Sequence, residues 1–438
     1  MYAFKKPVMI IGGGLAGCEA AWQLIRRGLP VDLYEMKPLV FSPAHQSPLL
    51  AELVCSNSLR SNLTDSAAGL LKQEMRLLRS LIMDAAAQAS VPAGRALAVD
   101  RSAFSRYIEN VLGHEKRFRL FRQEVSSIPD DCHVIVATGP LTSPAFAEFI
   151  QSLTGSRYLY FYDSISPIVM GDSIDYDAVF RASRYDKNGS DYLNCPLDQH
   201  TYEQFNKELL NADVVSKHSF EDARFFEGCL PIEVLARRGM QTLAYGPMKP
   251  VGLTDPKTGK PPYAVVQLRQ ENRDATMFNM VGFQTRLSWT EQKRIFRGIP
   301  GLECAEFARY GSIHRNTYIN TPALLNKTLQ LTSNGNIYFA GQITGVEGYV
   351  ESAAIGLIAG LSLATIREGK KFVPPPKTTA HGSLVEYIST ARTEDFQPMN
   401  MNFGLFPPLE GRCPKKEKGM RMAQRALQAL NAWSKEVS

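Results

Sequence analysis

Gly12-x-Gly14-x-x-Gly17 stands between an apolar run, Val8–Ile11, and a stretch in which Ala16, Ala20, Ala21 and Leu24 recur at helical spacing. Three glycines so spaced are a weak signal alone, but between a short buried strand and a helix they are specific. Gly12 suits a tight turn, Gly14 lets backbone approach a pyrophosphate, Gly17 permits close helix packing, and the helix N-terminus attracts phosphate. Gly28 ends the helix, Val31–Tyr34 reads as the next strand, and Glu35 follows at its end, where a carboxylate can accept from ribose hydroxyls. Val8–Glu35 thus predicts a βαβ unit that binds the ADP part of a dinucleotide. Gly12, Gly13, Gly14, Leu15, Ala16, Gly17 and Glu35 are the expected contacts, and a tight turn without ligand is the alternative.

Two further strand-to-glycine junctions extend this reading. His133–Ala137 is a candidate strand running into Thr138-Gly139, and Asn336–Ala340 leads through Gly341, Gly345 and Gly348 into a small-residue helix, Ser352–Gly360. Doubly wound sheets place ligands at such carboxyl edges. The distant second glycine cluster favours FAD over NAD, by analogy with flavoproteins that close over an extended cofactor, and adds Thr138, Gly139, Gly341 and Gly348 to the expected contacts. A loop ordered by packing alone stays open for that cluster.

The chain between about 165 and 330 carries Pro196, Pro231, Pro247, Pro250, Pro261 and Pro262 and loses the α/β rhythm. The expected fold is α/β, an FAD-binding Rossmann-like domain (1–165 and 330–438) with an inserted α+β domain (166–329). Leu71, Met75, Leu78 and Ile82 predict one helix entered at Thr64 or Asp65, with Lys72, Arg76 and Arg79 on its polar side. Ala353–Ile366 is apolar but shorter than the roughly 20 residues of a membrane span, and reads as a buried helix. Ala423, Leu427, Leu430 and Trp433 mark one side of a last helix.

Lys5 and Lys6 followed by Leu15-Ala16-Gly17-Cys18 superficially resemble a lipoprotein signal, but Pro7 and the glycines interrupt the apolar region, so a cytoplasmic protein is expected. A formal charge of +6 permits a nucleic-acid partner without demanding one. The seven cysteines include no CxxC pair, which argues against zinc or a disulfide framework, and no metal is expected. Cys55, in Leu53-Val54-Cys55-Ser56-Asn57-Ser58 before Arg60, and Cys229, between Gly228 and a turn, stand in settings that can expose a thiol; each alone is equally a small buried hydrophobe or a nucleophile. Cys18, Cys132, Cys195, Cys304 and Cys413 read as structural. His314–Tyr318 reads as a polar run after a strand, with donors that suit a phosphate or carboxylate, and Tyr245–Gly252 as turns with an exposed Lys249.

Taken together, GGGLAGCEAAW from Gly12, AELVCSNSLRS from Ala51, VPAGRALAVDR from Val91, VATGPLTS from Val136, YGPMKPVGL from Tyr245, HRNTYIN from His314 and GVEGYVESAA from Gly345 resemble the folate- and FAD-dependent tRNA (uracil-5-)methyltransferases, the TrmFO group, related to the GidA flavoproteins. The resemblance runs nearly end to end and implies a GidA-type fold. It also implies methylation of the T-loop uridine of tRNA at carbon 5, with methylenetetrahydrofolate as carbon donor, bound FAD and NAD(P)H as reductant. The family's two functional cysteines fall on Cys55 and Cys229. Cys229 is then the nucleophile that adds to uracil carbon 6, and Cys55 a flavin-side thiol serving one-carbon transfer. Lys72, Arg76, Arg79, Lys249 and Arg315 are unranked candidates for RNA phosphate contacts. An rRNA uridine as substrate, a small-molecule flavin oxidoreductase and a flavin-binding RNA chaperone remain as alternatives, and the oligomeric state is left open.

Overall fold

The computed structural model describes residues 6–155, 159–184, 189–215, 230–394 and 396–437, with the side chains of Asp163 and Arg315 excluded. Strand β1 (Val8–Ile11) is buried throughout and pairs in parallel with β2 (Val31–Glu35) and with Val134–Val136. Parallel strands covered on both faces need uninterrupted apolar runs, and VMII supplies one. The sheet has six strands in the order Gln330–Leu331, Asn334–Phe339, Val134–Val136, β1, β2, Phe118–Arg122. All of these neighbours pair in parallel except the short edge strand Gln330–Leu331. The three strand-to-glycine junctions therefore end side by side at one sheet edge. This is the α/β, Rossmann-like arrangement expected from the sequence.

Helix α1 (Leu15–Arg26) packs against the long helix Tyr349–Arg367, which is buried on nearly every side. Their separation is set by glycine: a Cβ on Gly356 would stand 2.3 Å from the Ala16 carbonyl oxygen, and one on Gly360 2.8 Å from that of Ala20. Among the described residues this is the one helix long and apolar enough to cross a membrane, and 89% of its apolar window is buried. The buried helix expected over Ala353–Ile366 is its central part.

The single helix expected after Asp65 is two. Ala67–Leu77 is capped by Ser66 rather than Thr64 or Asp65, and Leu81–Gln88 is capped by Ser80. Between them Arg79 takes φ 58°, a left-handed conformation that stops a helix. Ile82 thus belongs to the second helix, and Arg79 to neither. The N-terminus of the second helix is met by the buried Glu19 carboxylate, which accepts from Ser80 Oγ (2.6 Å) and Ile82 N (3.0 Å). Lys72 is also not where amphipathic spacing put it. It is fully buried and donates to the carbonyls of Ser61 (2.7 Å) and Ala68 (2.9 Å). Burial pushes its amine down to about 7, while Glu351 nearby pulls it up. A buried amine cannot meet RNA phosphate, so Lys72 leaves the list of candidates.

A second six-stranded sheet, antiparallel throughout, runs Phe180–Ala182, Tyr192–Leu197, Ala264–Gln270, Met277–Met280, Ile168–Met170, Phe307–Arg309. It has its own core around Phe278, Phe283 and Phe296. A two-stranded ribbon links the sheets: Leu159–Ile165 pairs antiparallel with Ser312–Tyr318 over its whole length. His314–Tyr318 is accordingly strand, not a turn beyond one, and Arg315 lies in that strand rather than on a loop. Tyr245 ends a short helix, Thr242–Tyr245, and Lys249 in the following turn is half-buried, not exposed.

Candidate functional site

A cleft of about 370 Å³ opens where the three junctions meet. Its lining includes Gly12, Gly13, Gly14, Leu15 and Ala16 from the first junction, and Glu35, Thr138, Gly139, Gly341 and Gly348. Gly17 does not line it, and its role is packing: a Cβ there would lie 1.9 Å from the carbonyl oxygen of Gly12. Gly12 itself has φ 107°, and a Cβ on it would meet the Ala137 carbonyl oxygen at 2.4 Å. At Gly14, by contrast, nothing lies within 4 Å of the Cβ position. The middle glycine faces open space, as close approach of a ligand requires.

Two helix N-termini open into the same cleft. Gly14 caps α1 and Gly348 caps Tyr349–Arg367, and neither has a side chain to satisfy the first-turn N–H groups. Uncapped N–H groups with the positive end of the helix dipole favour anionic oxygen. Glu35 is buried and accepts from Gly13 N (2.8 Å) through Oε2 and from Lys37 N (2.9 Å) through Oε1. A carboxylate has about four lone-pair sites, so capacity for ribose hydroxyls remains. These residues fit the pyrophosphate and ribose of an adenine dinucleotide.

Cys55 lines the cleft from the long loop between β2 and Ser58–Ser61. Its backbone N–H and that of Ser56 donate to the Tyr349 hydroxyl at 2.6 and 3.2 Å, fixing the loop to the long helix. Burial drives the Tyr349 phenol well above its ordinary value, with the Cys55 sulfur adding to the rise, so it stays neutral. The loop is held from other elements as well. Arg101 donates to the carbonyls of Leu53 (2.9 Å) and Val54 (3.2 Å), Arg309 to that of Val54 (2.6 Å), and Arg269 to Ser56 Oγ and Asn57 Oδ1 (2.8 Å each).

Arg60 and Glu351 also line the cleft and pair at 3.2 Å; Glu351 Oε1 accepts further from Met401 N (2.9 Å), while the buried Oε2 has no hydrogen-bond partner among the described residues. His314 and Asn316 reach the cleft from the ribbon. Sequence spacing singles out none of Tyr349, Arg101, Arg269, Arg309 or Glu351. Each is an isolated residue whose partner lies far along the chain, so no local spacing marks it.

Cys229 lies outside the described residues. The chain on either side of it is placed: Val215 N donates to Arg286 O (2.9 Å) and Ile232 N to Gln284 O (2.7 Å), and Gln284 lines the cleft. Of the cysteines read as structural, Cys18 and Cys195 are buried, with thiols raised chiefly by burial. Cys304 is exposed, so packing does not account for it. Arg76 bonds Asn62 Oδ1 (2.9 Å) beside the first of the two short helices.

The family model described as Glucose inhibited division protein A matches residues 7–371. A protein of Syntrophus aciditrophicus (strain SB) named methylenetetrahydrofolate--tRNA-(uracil-5-)-methyltransferase TrmFO is 62% identical over 432 residues, 98% of this chain and 98% of its own. The chain belongs to the TrmFO family. A TrmFO of Citrifermentans bemidjiense is 57% identical over 434 residues, covering 99% of this chain and all of its own. Among solved structures, Aquifex aeolicus GidA superposes with a TM-score of 0.70 at 16% identity, over 98% of this chain and 76% of that one. At that identity the likeness concerns the fold alone, and the fold agrees with the GidA-type architecture expected of a TrmFO chain.

Proposed function

We infer that this protein transfers a one-carbon unit from methylenetetrahydrofolate to carbon 5 of the T-loop uridine of tRNA, using bound FAD. The observation that carries this beyond family membership is one cleft that joins the dinucleotide-binding glycines to Cys55. Gly12–Ala16, Glu35, Thr138, Gly139, Gly341 and Gly348 hold FAD, which when bound supplies the reducing power that turns a transferred methylene into methyl. NAD(P)H is the source of those electrons.

Uracil carbon 5 becomes nucleophilic when a thiolate adds to carbon 6, breaking the 5,6 double bond and moving charge onto the ring. Cys229 makes that addition; once carbon 5 has taken the carbon unit and lost its proton, the C6–S bond breaks and the double bond re-forms. Cys55 acts on the cofactor side. This division is supported by the position of Cys55 in the cleft and by the anchoring of both flanks of Cys229 on Arg286 and Gln284. The T-loop base is stacked in folded tRNA, so it must be extracted to react.

The segment 166–329 serves as the insertion domain, supported by its own sheet and core. The cytoplasm is the expected compartment of an enzyme acting on tRNA. Nucleoside analysis of separated tRNA and rRNA from a deletion strain tests the substrate. Loss of 5-methyluridine from tRNA is expected, and loss from rRNA alone would transfer the activity to rRNA.

A further inference from the structure

Cys55 sits at the middle of Leu53–Asn57, a stretch held by three guanidiniums from separate elements: Arg101 in helix Arg101–Gly113, Arg269 in strand Ala264–Gln270 and Arg309 in strand Phe307–Arg309. Their partners in the stretch are neutral carbonyls and polar side chains, and amide donors could hold those. Three cations in a poorly solvated wall are costly unless anions offset them. Glu271 pairs with Arg101 at 2.9 Å and acts on Arg269 as well, so one carboxylate is shared by two guanidiniums. Glu52 is committed to Lys37 at 3.1 Å. Among the described residues neither Arg269 nor Arg309 has a carboxylate ion pair.

Tyrosine and histidine side chains nearby add no full charge. Tyr349 is kept neutral by burial, Tyr192 beside Arg269 is likewise pushed up by burial, and His45 near Arg309 is pushed down, toward its neutral form. Burial lowers Arg269 and Arg309; Glu271 and Tyr192, then the Cys55 sulfur, pull Arg269 back up, and Tyr349, the Cys55 sulfur and Glu52 do the same for Arg309. Arg101 is lowered by burial but carried above its ordinary value by Glu271, Tyr349 and Cys55.

We propose that Arg101, Arg269 and Arg309 are positioning residues that hold Cys55 in the cleft wall as a thiolate at neutral pH. The proposal rests on reading Cys55 as a working thiol. It makes Arg309 the informative residue, because its hydrogen bond to the loop is a single contact with the Val54 carbonyl.

The test is the pH dependence of iodoacetamide alkylation of the FAD-loaded protein, read at the Cys55 peptide by mass spectrometry. The wild type is expected to react with a midpoint at or below about 7, against ~8.5 for an ordinary cysteine. Arg309→Gln should move the midpoint up by about one unit, slowing alkylation about tenfold at pH values well below both midpoints, while Arg309→Lys, which keeps the charge, stays near wild type. A wild-type midpoint near ~8.5 overturns the proposal, as does an equal shift in both variants. If Arg309→Gln fails to fold, the wild-type midpoint decides. Methylation assayed on the same preparation separates the two readings: a low midpoint without methylation sinks the assigned function and leaves the thiolate standing.

Discussion

The dinucleotide end of the cleft and the Cys55 wall are built in opposite ways. The first is mainly backbone: glycines, two uncapped helix N-termini and one carboxylate, much of it within residues 8–35. The second is assembled from side chains, with Arg101, Arg269, Arg309 and Tyr349 converging on five loop residues from across the chain. A backbone site depends on conformation and space, so its weak points are glycines. A side-chain site depends on charge and hydrogen bonding, so its weak points titrate.

The largest expected effect is at the backbone end. Gly17→Ala sets a Cβ against the Gly12 carbonyl, and should cost about 4 kcal/mol or more, losing folded holoenzyme in urea melts. Cys55→Ala should leave FAD-loaded protein of normal stability with methylation reduced at least about a hundredfold. Full activity would remove Cys55 from the chemistry.

Lys72 sharpens the comparison, being a titrating group buried behind the cleft. Its folded value of about 7 lies below the unfolded 10.5, so the unfolded chain binds more protons between these values and stability rises with pH through that window. The gain from pH ~7 to pH ~9 should be about 2 kcal/mol in urea midpoints, and Lys72→Met should flatten it. Gly14→Ala is the mildest change. With nothing within 4 Å of the Cβ, the fold should be untouched while FAD affinity falls about tenfold, measured by flavin fluorescence. A stability loss matching Gly17→Ala would mean the two glycines do the same job.

The same contrast explains what could be read from sequence. The strand, glycine turn, helix and Glu35 interact within some thirty residues, so their spacing displays their geometry. The junctions at Thr138 and Gly341 were legible because each repeats that local signal, and the parallel sheet brings them together. Lys72 departs from its expected place because helical spacing sets a cation on the polar face, whereas here Ser61 and Ala68 supply carbonyls that let it go inside. The break at Arg79 was invisible because Arg carries no signal for left-handed backbone. The three arginines are ordinary in their local contexts and become a group only once the second sheet is folded against the loop.

The most direct test of the central claim is in vitro methylation with methylenetetrahydrofolate labelled in its one-carbon unit, purified FAD-loaded protein, NAD(P)H and tRNA. Label is expected in 5-methyluridine of the T loop and is lost when that uridine is replaced. Label that never reaches the uridine, while the protein stays folded and flavin-loaded, would contradict that claim.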